Sequence, residues 1–529
     1  MSSSFIVEEW RDLWGRKGDF LITALAYVFS TTNFFNLPSL VVNNGGGAFL
    51  IAYLASVCVI CLSILMMELA IGQLSARAPP KALHSACPLF KGVGISLVVY
   101  SLFLLSFYAI RVAYLVDYLV HLFENVTVDP VWFKCPSVSE NLRLGNCRPL
   151  NTMNQSSFLE HQFLSVNFFH NDTILEKSTN IGETGSFAVR LVVGLAIVWF
   201  CILAALFLGV KWLGKACHIT FFVPLFLMLA LMIKGLSSNG SDTIMNRAIL
   251  DTDWDKLLDK NTWAKAFYQS LYATGLCLGS YITLGSYNKR SNNLVSASFL
   301  IVFLHLVFTI VQLITAFSFY GHWLKIFNMD YSPTLINEGF TWTLIQMLSV
   351  MSQFCTPQIW AAFLLFALIC MFFNTMYVLT LNICSSMEDL IGDLSSKCLP
   401  RFGITLLICI FGYAAGLGYT TQAGPYAVEL IERYLHLLCP WIILTFELMA
   451  IGWFYCAHLL ARDYLLVVLL AEYDAPKVLN GYREEISEVH WAEPIGWVLA
   501  VLPVLPIPIY MIYIVTRTCL RGPGVTYWE

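Results

Sequence analysis

The chain has 529 residues, of which 58% are hydrophobic, 15% aromatic and only 12% charged, with a formal net charge of −4. A soluble protein carries roughly 25% charged residues, so a soluble enzyme and a disordered scaffold are excluded, and the charge leaves no basic footprint for nucleic acid. Mean hydropathy is +0.70 and the apolar residues come in long blocks, the pattern of a polytopic helical membrane protein, because a bilayer span takes about 20 apolar residues.

In chain order the full-length apolar blocks fall near 20–42, 48–71, 93–123, 187–208, 216–235, 264–284, 294–319, 358–384, 402–418, 437–460 and 495–515. A further block, 464–471, is only a stub (YLLVVLLA). The first block is too long for the apolar core of a signal peptide, and no small-residue cleavage site follows it. Arg11, Arg16 and Lys17 precede block one; Arg77, Lys81 and Lys91 follow block two. Lys211 and Lys215, Lys289 and Arg290, and Lys397 and Arg401 occupy further alternate loops. These basic loops share one side, and the positive-inside rule makes it cytoplasmic, with the N-terminus 1–19 inside.

The longest loop, about 124–186, lies on the opposite side and carries N-glycosylation sequons at Asn125, Asn154 and Asn171. A fourth, at Asn239, falls in the next loop on that side, so the sequons and the basic residues agree. Cys135 and Cys147 share the long loop, where an oxidising compartment favours a disulfide. The other cysteines lie mostly in apolar blocks and read as small buried hydrophobes.

Two spans are interrupted. Block one holds Ser30, Thr31, Thr32, Asn33, Asn36 and Pro38; Ser, Thr and Asn compete for backbone hydrogen bonds and Pro38 removes a donor. Block six reads SLYATGLCLGSYITLGSY, with Gly275, Gly279 and Gly285. Broken helices five spans apart point to inverted five-helix repeats; small-residue packing between ordinary helices is the plainer alternative. Arg111, Glu68, Asp117 and Glu447 are ionisable at membrane depth, where such a group usually faces a partner or water. The sequence names no partner for Arg111.

Six stretches, RDLWGRKGDF, NGGGAFLIAY, MELAIGQ, GVKWLGK, GSYNKRSNN and TTQAGPY, resemble signatures of the neurotransmitter:sodium symporter family, in order and in the right loops. The resemblance runs from about Arg11 to Asp463 and resumes near Trp491 (WAEPIGW). It implies an all-α polytopic fold of two inverted five-helix repeats with discontinuous helices 1 and 6. The core would cover 20–460, with helices 11 and 12 over 461–515, about 12 spans in all, and a tail at 516–529. It further implies sodium-coupled uptake, often with chloride, of amino acids, biogenic amines, GABA or osmolytes, at the plasma membrane. Between Asp463 and Trp491 the family carries roughly twice as many residues. The eight-residue stub rises about 12 Å as helix against a core of ~30 Å. Helix 11 is therefore truncated, or the last helix reverses and leaves the C-terminus outside, or the chain is a shortened isoform.

Carried over position by position, the resemblance assigns the substrate site to Tyr108 in FYAIRVAY, to Ser30, Thr31 and Thr32 at the helix-1 break, and to Tyr272 and Leu278. Ser30 stands where monoamine carriers have Asp, which argues against an amine substrate without a carboxylate. Thr32 adds a branched side chain where the family uses glycine. The second sodium site would take the carbonyls of Ala26, Phe29 and Met371 and the side chains of Asn374 and Thr375, oxygen ligands suited to a hard cation. The first sodium site keeps Val28 and Asn33, but Ala273 replaces a hydroxyl and His305 replaces Asn. This site is expected to be lost or, because histidine titrates near neutral pH, proton-sensitive. For chloride, Tyr53, Gln269 and Thr309 match, while Ala273 and His305 again depart. Arg11 and Asp389, with Ser286 and Tyr287 beside them, match the inner gate. At the outer gate Asn36 stands opposite Glu432, so no ion pair is expected and the gate should be loose.

The sequence thus supports a sodium-coupled symporter of a small amino acid, related zwitterion or osmolyte, working by alternating access. The alternative is a transporter-like sensor or accessory subunit, favoured by the altered ion and gate positions. An enzyme is not expected, since no HExxH or GxSxG motif is present.

Overall fold

The computed structural model describes residues 11–124, 130–133, 165–178, 181–326, 336, 339–392, 401–455 and 492–520. Helix 1 of the sequence reading is two helices, α1 (Lys17–Val28) and α2 (Thr32–Asn43), whose axes differ by 43°. A Gly-rich turn leads to α3 (Gly47–Ala55) and, through one π-helical stretch at Ser56–Cys61, to α4 (Leu62–Ser75). The short α5 (Pro79–Ala86) precedes the long α6 (Lys91–Glu124). Beyond the long loop come α7 (Val189–Leu206), α8 (Val210–Leu236) and the small α9 (Asp242–Leu250).

Block six is also two helices, α10 (Lys260–Thr274) and α11 (Ser280–Ser286). Then follow α12 (Leu294–Ile326), α13 (Phe340–Met351), α14 (Pro357–Ile391), α15 (Arg401–Leu417) and α16 (Gly424–Tyr455). The last block is again bent, α17 (Ala492–Val501) and α18 (Pro506–Leu520) meeting at 52°. Pro503 and Pro506 lie at that bend, and each removes a backbone donor.

Among the described residues, seven helices are long and apolar enough to cross a membrane, and the two bent pairs Lys17–Val28 with Thr32–Asn43 and Pro494–Val501 with Pro506–Arg517 bring the number to nine. Two elements differ from the apolar-block reading. Helix α16 begins at Gly424 rather than near 437, because its first turns carry Glu429, Glu432, Arg433 and His436 and fail a test of apolarity while remaining helical. Helix α13 was not foreseen, being twelve residues and too short for a span. The stub 464–471 lies outside the described residues, as do Asn125, Asn154, Cys135 and Cys147.

Helices α6 and α14 form the centre of the bundle, packed on each other and enclosed by α7, α8 and α15. Their most apolar windows are 72% buried, whereas α8 and α12 turn much apolar surface outward, as at Ile219, Phe226, Phe303 and Ile310. That outer apolar surface is what a bilayer covers. Helices α4 and α11 approach backbone to backbone. A Cβ on Gly72 would stand 2.0 Å from the Ile282 carbonyl oxygen, and one on Gly285 would stand 2.5 Å from that of Leu69. Only glycine allows this contact, which clamps the second half of the broken helix onto α4.

Candidate functional site

The site lies where the two breaks meet. Helix α1 ends at Val28, and Phe29 leaves helical geometry (φ −78°, ψ 60°). Helix α10 ends in Gly275 at φ +70°, and Gly279 at φ +69° precedes α11. Cys277 between them also has positive φ, 62°, an uncommon conformation for a residue with a Cβ. The breaks are bonded to each other. The Tyr27 hydroxyl donates to the Gly275 carbonyl at 2.9 Å, and the Ser30 hydroxyl donates to that of Ala273 at 3.0 Å. Gln312 on α12 donates to the Ser30 carbonyl at 2.8 Å. On the far side of α10's break, Ser101 and Asn382 donate to the Leu278 carbonyl at 3.0 and 2.8 Å, and the Cys277 N–H donates to Glu68 at 3.0 Å. The unwound segments are therefore fixed by α4, α6, α12 and α14 rather than left as loose chain.

The substrate candidates come together here. Ser30, Thr31 and Thr32 are all nearly buried, and the first N–H groups of α2 have no partner within the helix. The Tyr108 and Tyr272 hydroxyls are 2.9 Å apart, and Thr32 approaches the Tyr108 hydroxyl. Leu278 is buried at the opposite break. Aromatic rings close the space around Tyr108. Phe372 on α14 lies 5.6 Å from it between ring centroids, and Phe35 and Phe340 lie 6.2 and 6.0 Å from Phe372. These three phenylalanines were missed in the sequence, where a Phe in an apolar block carries no distinguishing signal.

The second sodium candidates lie on two helices that pack together, α1 and α14. Asn374 donates its amide to the Thr220 carbonyl at 2.9 Å, which leaves its side-chain oxygen buried with no hydrogen-bond partner. Thr375 on the next position has its hydroxyl 3.4 Å from the Met371 carbonyl. Ala26 and Phe29 lie at the frayed end of α1, which packs on α14, and the last carbonyls of a helix lack intrahelical donors. A buried amide oxygen without a partner and helix-end carbonyls are ligands of the kind a hard cation takes.

The first sodium and chloride candidates are arranged differently. Asn33 accepts from Gln269 and donates to Tyr53 and Thr309, and His305 bridges Tyr53 to the Val28 carbonyl. These groups bond one another.

At the end of the bundle near Arg11, the guanidinium lies 2.9 Å from Asp389 and donates to the Ala76 carbonyl at 3.0 Å. It also stacks over Tyr287 at 4.5 Å. Tyr287 contacts Ser385 at 2.6 Å and accepts from Arg401 at 3.0 Å. Ser286 instead donates to the Thr283 carbonyl at 2.6 Å.

The opposite end requires a correction. Glu432 was expected to lack a cation, with Asn36 facing it, yet Glu432 pairs with Arg111 of α6. Arg111 also lies over the rings of Phe107 and Phe340, at 5.3 and 5.1 Å. The signal was available in part, since Arg111 follows Tyr108 by three residues and so shares its face of the helix. Of the remaining candidates, Asn171 donates to Asn167 at 3.1 Å, and Asn239 is exposed at the turn before α9.

The model of the sodium:neurotransmitter symporter family matches residues 11–469. The chain belongs to this family.

Among its relatives is the mouse sodium- and chloride-dependent neutral and basic amino acid transporter B(0+), 25% identical, with 95% of this chain and 85% of that protein covered. The sodium-dependent acetylcholine transporter of Caenorhabditis elegans is 24% identical over 98% of this chain and 78% of its own length. In fold the chain is similar to the crystal structure of MhsT in complex with L-phenylalanine, with a TM-score of 0.62 at 17% identity over 95% of this chain and 99% of that one. The chain is thus a divergent member of a family of sodium-coupled solute transporters, and a multi-pass membrane protein.

Proposed function

We propose that this symporter carries a small zwitterionic solute, an amino acid or a close relative, inward across the plasma membrane with sodium, its N-terminus lying in the cytoplasm. The observation that carries the zwitterion is the meeting of opposite helix ends. The start of α2 presents unpaired N–H groups and the positive end of its dipole, and the ends of α1 and α10 present carbonyls and the negative ends of theirs. No full charge stands at Ser30 to favour an amine without its carboxylate. The solute's carboxylate would lie at Thr31, Thr32 and the Tyr108 hydroxyl, its ammonium at the carbonyl ends, and its side chain among Leu278, Phe372 and Phe35.

Sodium is a co-substrate here. Asn374, Thr375 and the carbonyls of Ala26, Phe29 and Met371 would hold it, tying α1 to α14. Because those two helices belong to different halves of the fold, an ion between them favours one arrangement of the halves over another. Only such differential affinity shifts an equilibrium between states. The outward side would close at Arg111–Glu432 and the inward side at Arg11–Asp389.

The test is uptake from a mixed amino-acid and osmolyte pool, read by mass spectrometry, in cells bathed in sodium or in choline, with surface expression measured. Sodium-dependent enrichment of one zwitterion is the expected result. Protein at the surface with no enriched solute would overturn the proposal in favour of a sensor or accessory subunit.

A further inference from the structure

We infer that this chain fills the first sodium position and the chloride position with its own side chains, so that it runs on a single sodium ion and ignores chloride. The inference rests on the transport reading above and departs from the mouse relative, whose name states sodium and chloride dependence.

The argument is a hydrogen-bond accounting over six residues. Gln269 Nε2 donates to Asn33 Oδ1 at 2.9 Å. Asn33 Nδ2 donates to the Tyr53 hydroxyl at 2.9 Å and to Thr309 Oγ1 at 2.8 Å. The Tyr53 hydroxyl is 3.0 Å from His305 Nε2, and His305 Nδ1 is 3.3 Å from the Val28 carbonyl oxygen. Thr309 Oγ1 donates to the His305 carbonyl at 2.8 Å. One proton assignment satisfies every bond. His305 is neutral with its proton on Nδ1, given to Val28, and its Nε2 accepts from Tyr53. All six residues are at most 5% exposed.

A sodium ion at this place would need oxygens with free lone pairs. The Asn33 and Val28 oxygens each accept one hydrogen bond and keep one lone pair, but Ala273 has no hydroxyl to offer and the His305 Nε2 lone pair takes the Tyr53 proton, which leaves too few oxygens for a hard cation's shell. A chloride would need free donors. The Tyr53 proton goes to His305, the Thr309 proton goes to its own helix, and both Asn33 amide protons are given away, so one N–H of Gln269 is the donor left over in this set. A chloride held by Tyr53 or Thr309 would have to break a buried hydrogen bond, at a cost of about 1–3 kcal/mol for each partner left unsatisfied, and a sodium would meet an incomplete set of oxygens.

Charge supports the same conclusion. A cation and an anion side by side sum to zero, and the network that replaces them is neutral, so neither ion is needed to balance the other. The second sodium site shows the contrast within one molecule, because there the Asn374 oxygen is buried and has no protein partner.

The test uses the full chain purified into nanodiscs, with ²²Na⁺ binding and apparent melting temperature measured in sodium chloride, sodium gluconate and choline chloride. The expected result is one sodium bound per chain, its affinity lowered about tenfold or more by Asn374→Ala, with the same stabilisation in chloride and gluconate. Restoring His305→Asn together with Ala273→Thr is expected to add a second bound sodium or a chloride-dependent shift. Two sodium ions on the unaltered chain, unchanged sodium affinity in Asn374→Ala, or a melting temperature that follows chloride would each overturn the inference. Absence of all sodium binding would refute the transport reading and, with it, the single working sodium ion.

Discussion

Replacing Arg111 by methionine keeps much of the side chain's length and removes its charge. Arg111 and Glu432 have side chains 11% and 28% exposed, so the pair is largely withdrawn from water while it is formed. Removing one partner of such a hydrogen-bonded pair costs about 2–5 kcal/mol, much of it from the charge left alone. When the outer side opens, Glu432 meets water and that cost disappears. The cost therefore falls on the closed form, and even its lower end of about 2 kcal/mol moves the opening equilibrium roughly 30-fold outward. A suitable reporter is a cysteine at Phe35, which faces Phe340 and Phe372, in a background lacking the exposed Cys58 and Cys355. Its rate of reaction with an impermeant maleimide rises by that factor in Arg111→Met. Adding Glu432→Gln removes the stranded charge and brings the rate back toward the starting value, and adding Asn36→Arg instead re-supplies the cation from α2. An unchanged labelling rate in Arg111→Met, or a further rise when Glu432→Gln is added, would show that the pair does not hold the outer side shut.

Three other outcomes follow from the same geometry. Asn374→Ala lowers sodium affinity by about tenfold or more, since a polar contact to a full charge is worth about 1.5–3 kcal/mol; sodium titration of uptake or of thermal stability measures it, and unchanged affinity would remove Asn374 from the ion site. At Cys277, with φ 62°, left-handed geometry costs a residue with a Cβ about 1–2 kcal/mol. Cys277→Gly should thus leave the apparent melting temperature nearly unchanged or raised, while the β-branched Cys277→Val lowers it; the reverse order would contradict the strain. His170, in the long segment between α6 and α7, stacks on Tyr118 at 5.9 Å with Nδ1 2.9 Å from its hydroxyl, and burial pushes its imidazole down to about 3. The unfolded loop takes up a proton near pH 6.5 and the folded one does not, so the loop is fully stable above that pH. It then weakens by about 1.4 kcal/mol per pH unit as the pH falls toward 3. Hydrogen exchange over 165–178, corrected for intrinsic rate, should rise between pH 7 and 5 and lose that dependence in His170→Gln; pH-independent protection would refute the account.

What was legible in the sequence was local. The breaks in helices 1 and 6 could be read because Ser-Thr-Thr, Gly275 and Gly279 weaken helix where they stand, without reference to any neighbour. The start of α16 was misplaced because apolarity was the guide, and a helix whose first turns line a polar site is not apolar there. The Arg111–Glu432 pair joins residues 321 apart in the chain, so no window contains it. Comparison one position at a time therefore made Asn36 a lost gate and His305 a damaged ion site. The structure pairs these departures with others. The positive charge missing from position 36 stands on α6 at Arg111, and the hydroxyl missing at Ala273 goes with an imidazole that satisfies Val28 and Tyr53 from the other side. A buried polar site tolerates such changes only in sets, because a single one strands a charge or an unpaired donor at a cost of several kcal/mol. Degeneration of an idle transporter would leave such groups stranded. At these two places the partners are instead supplied, which favours a working carrier with a rebuilt gate and a reduced demand for ions.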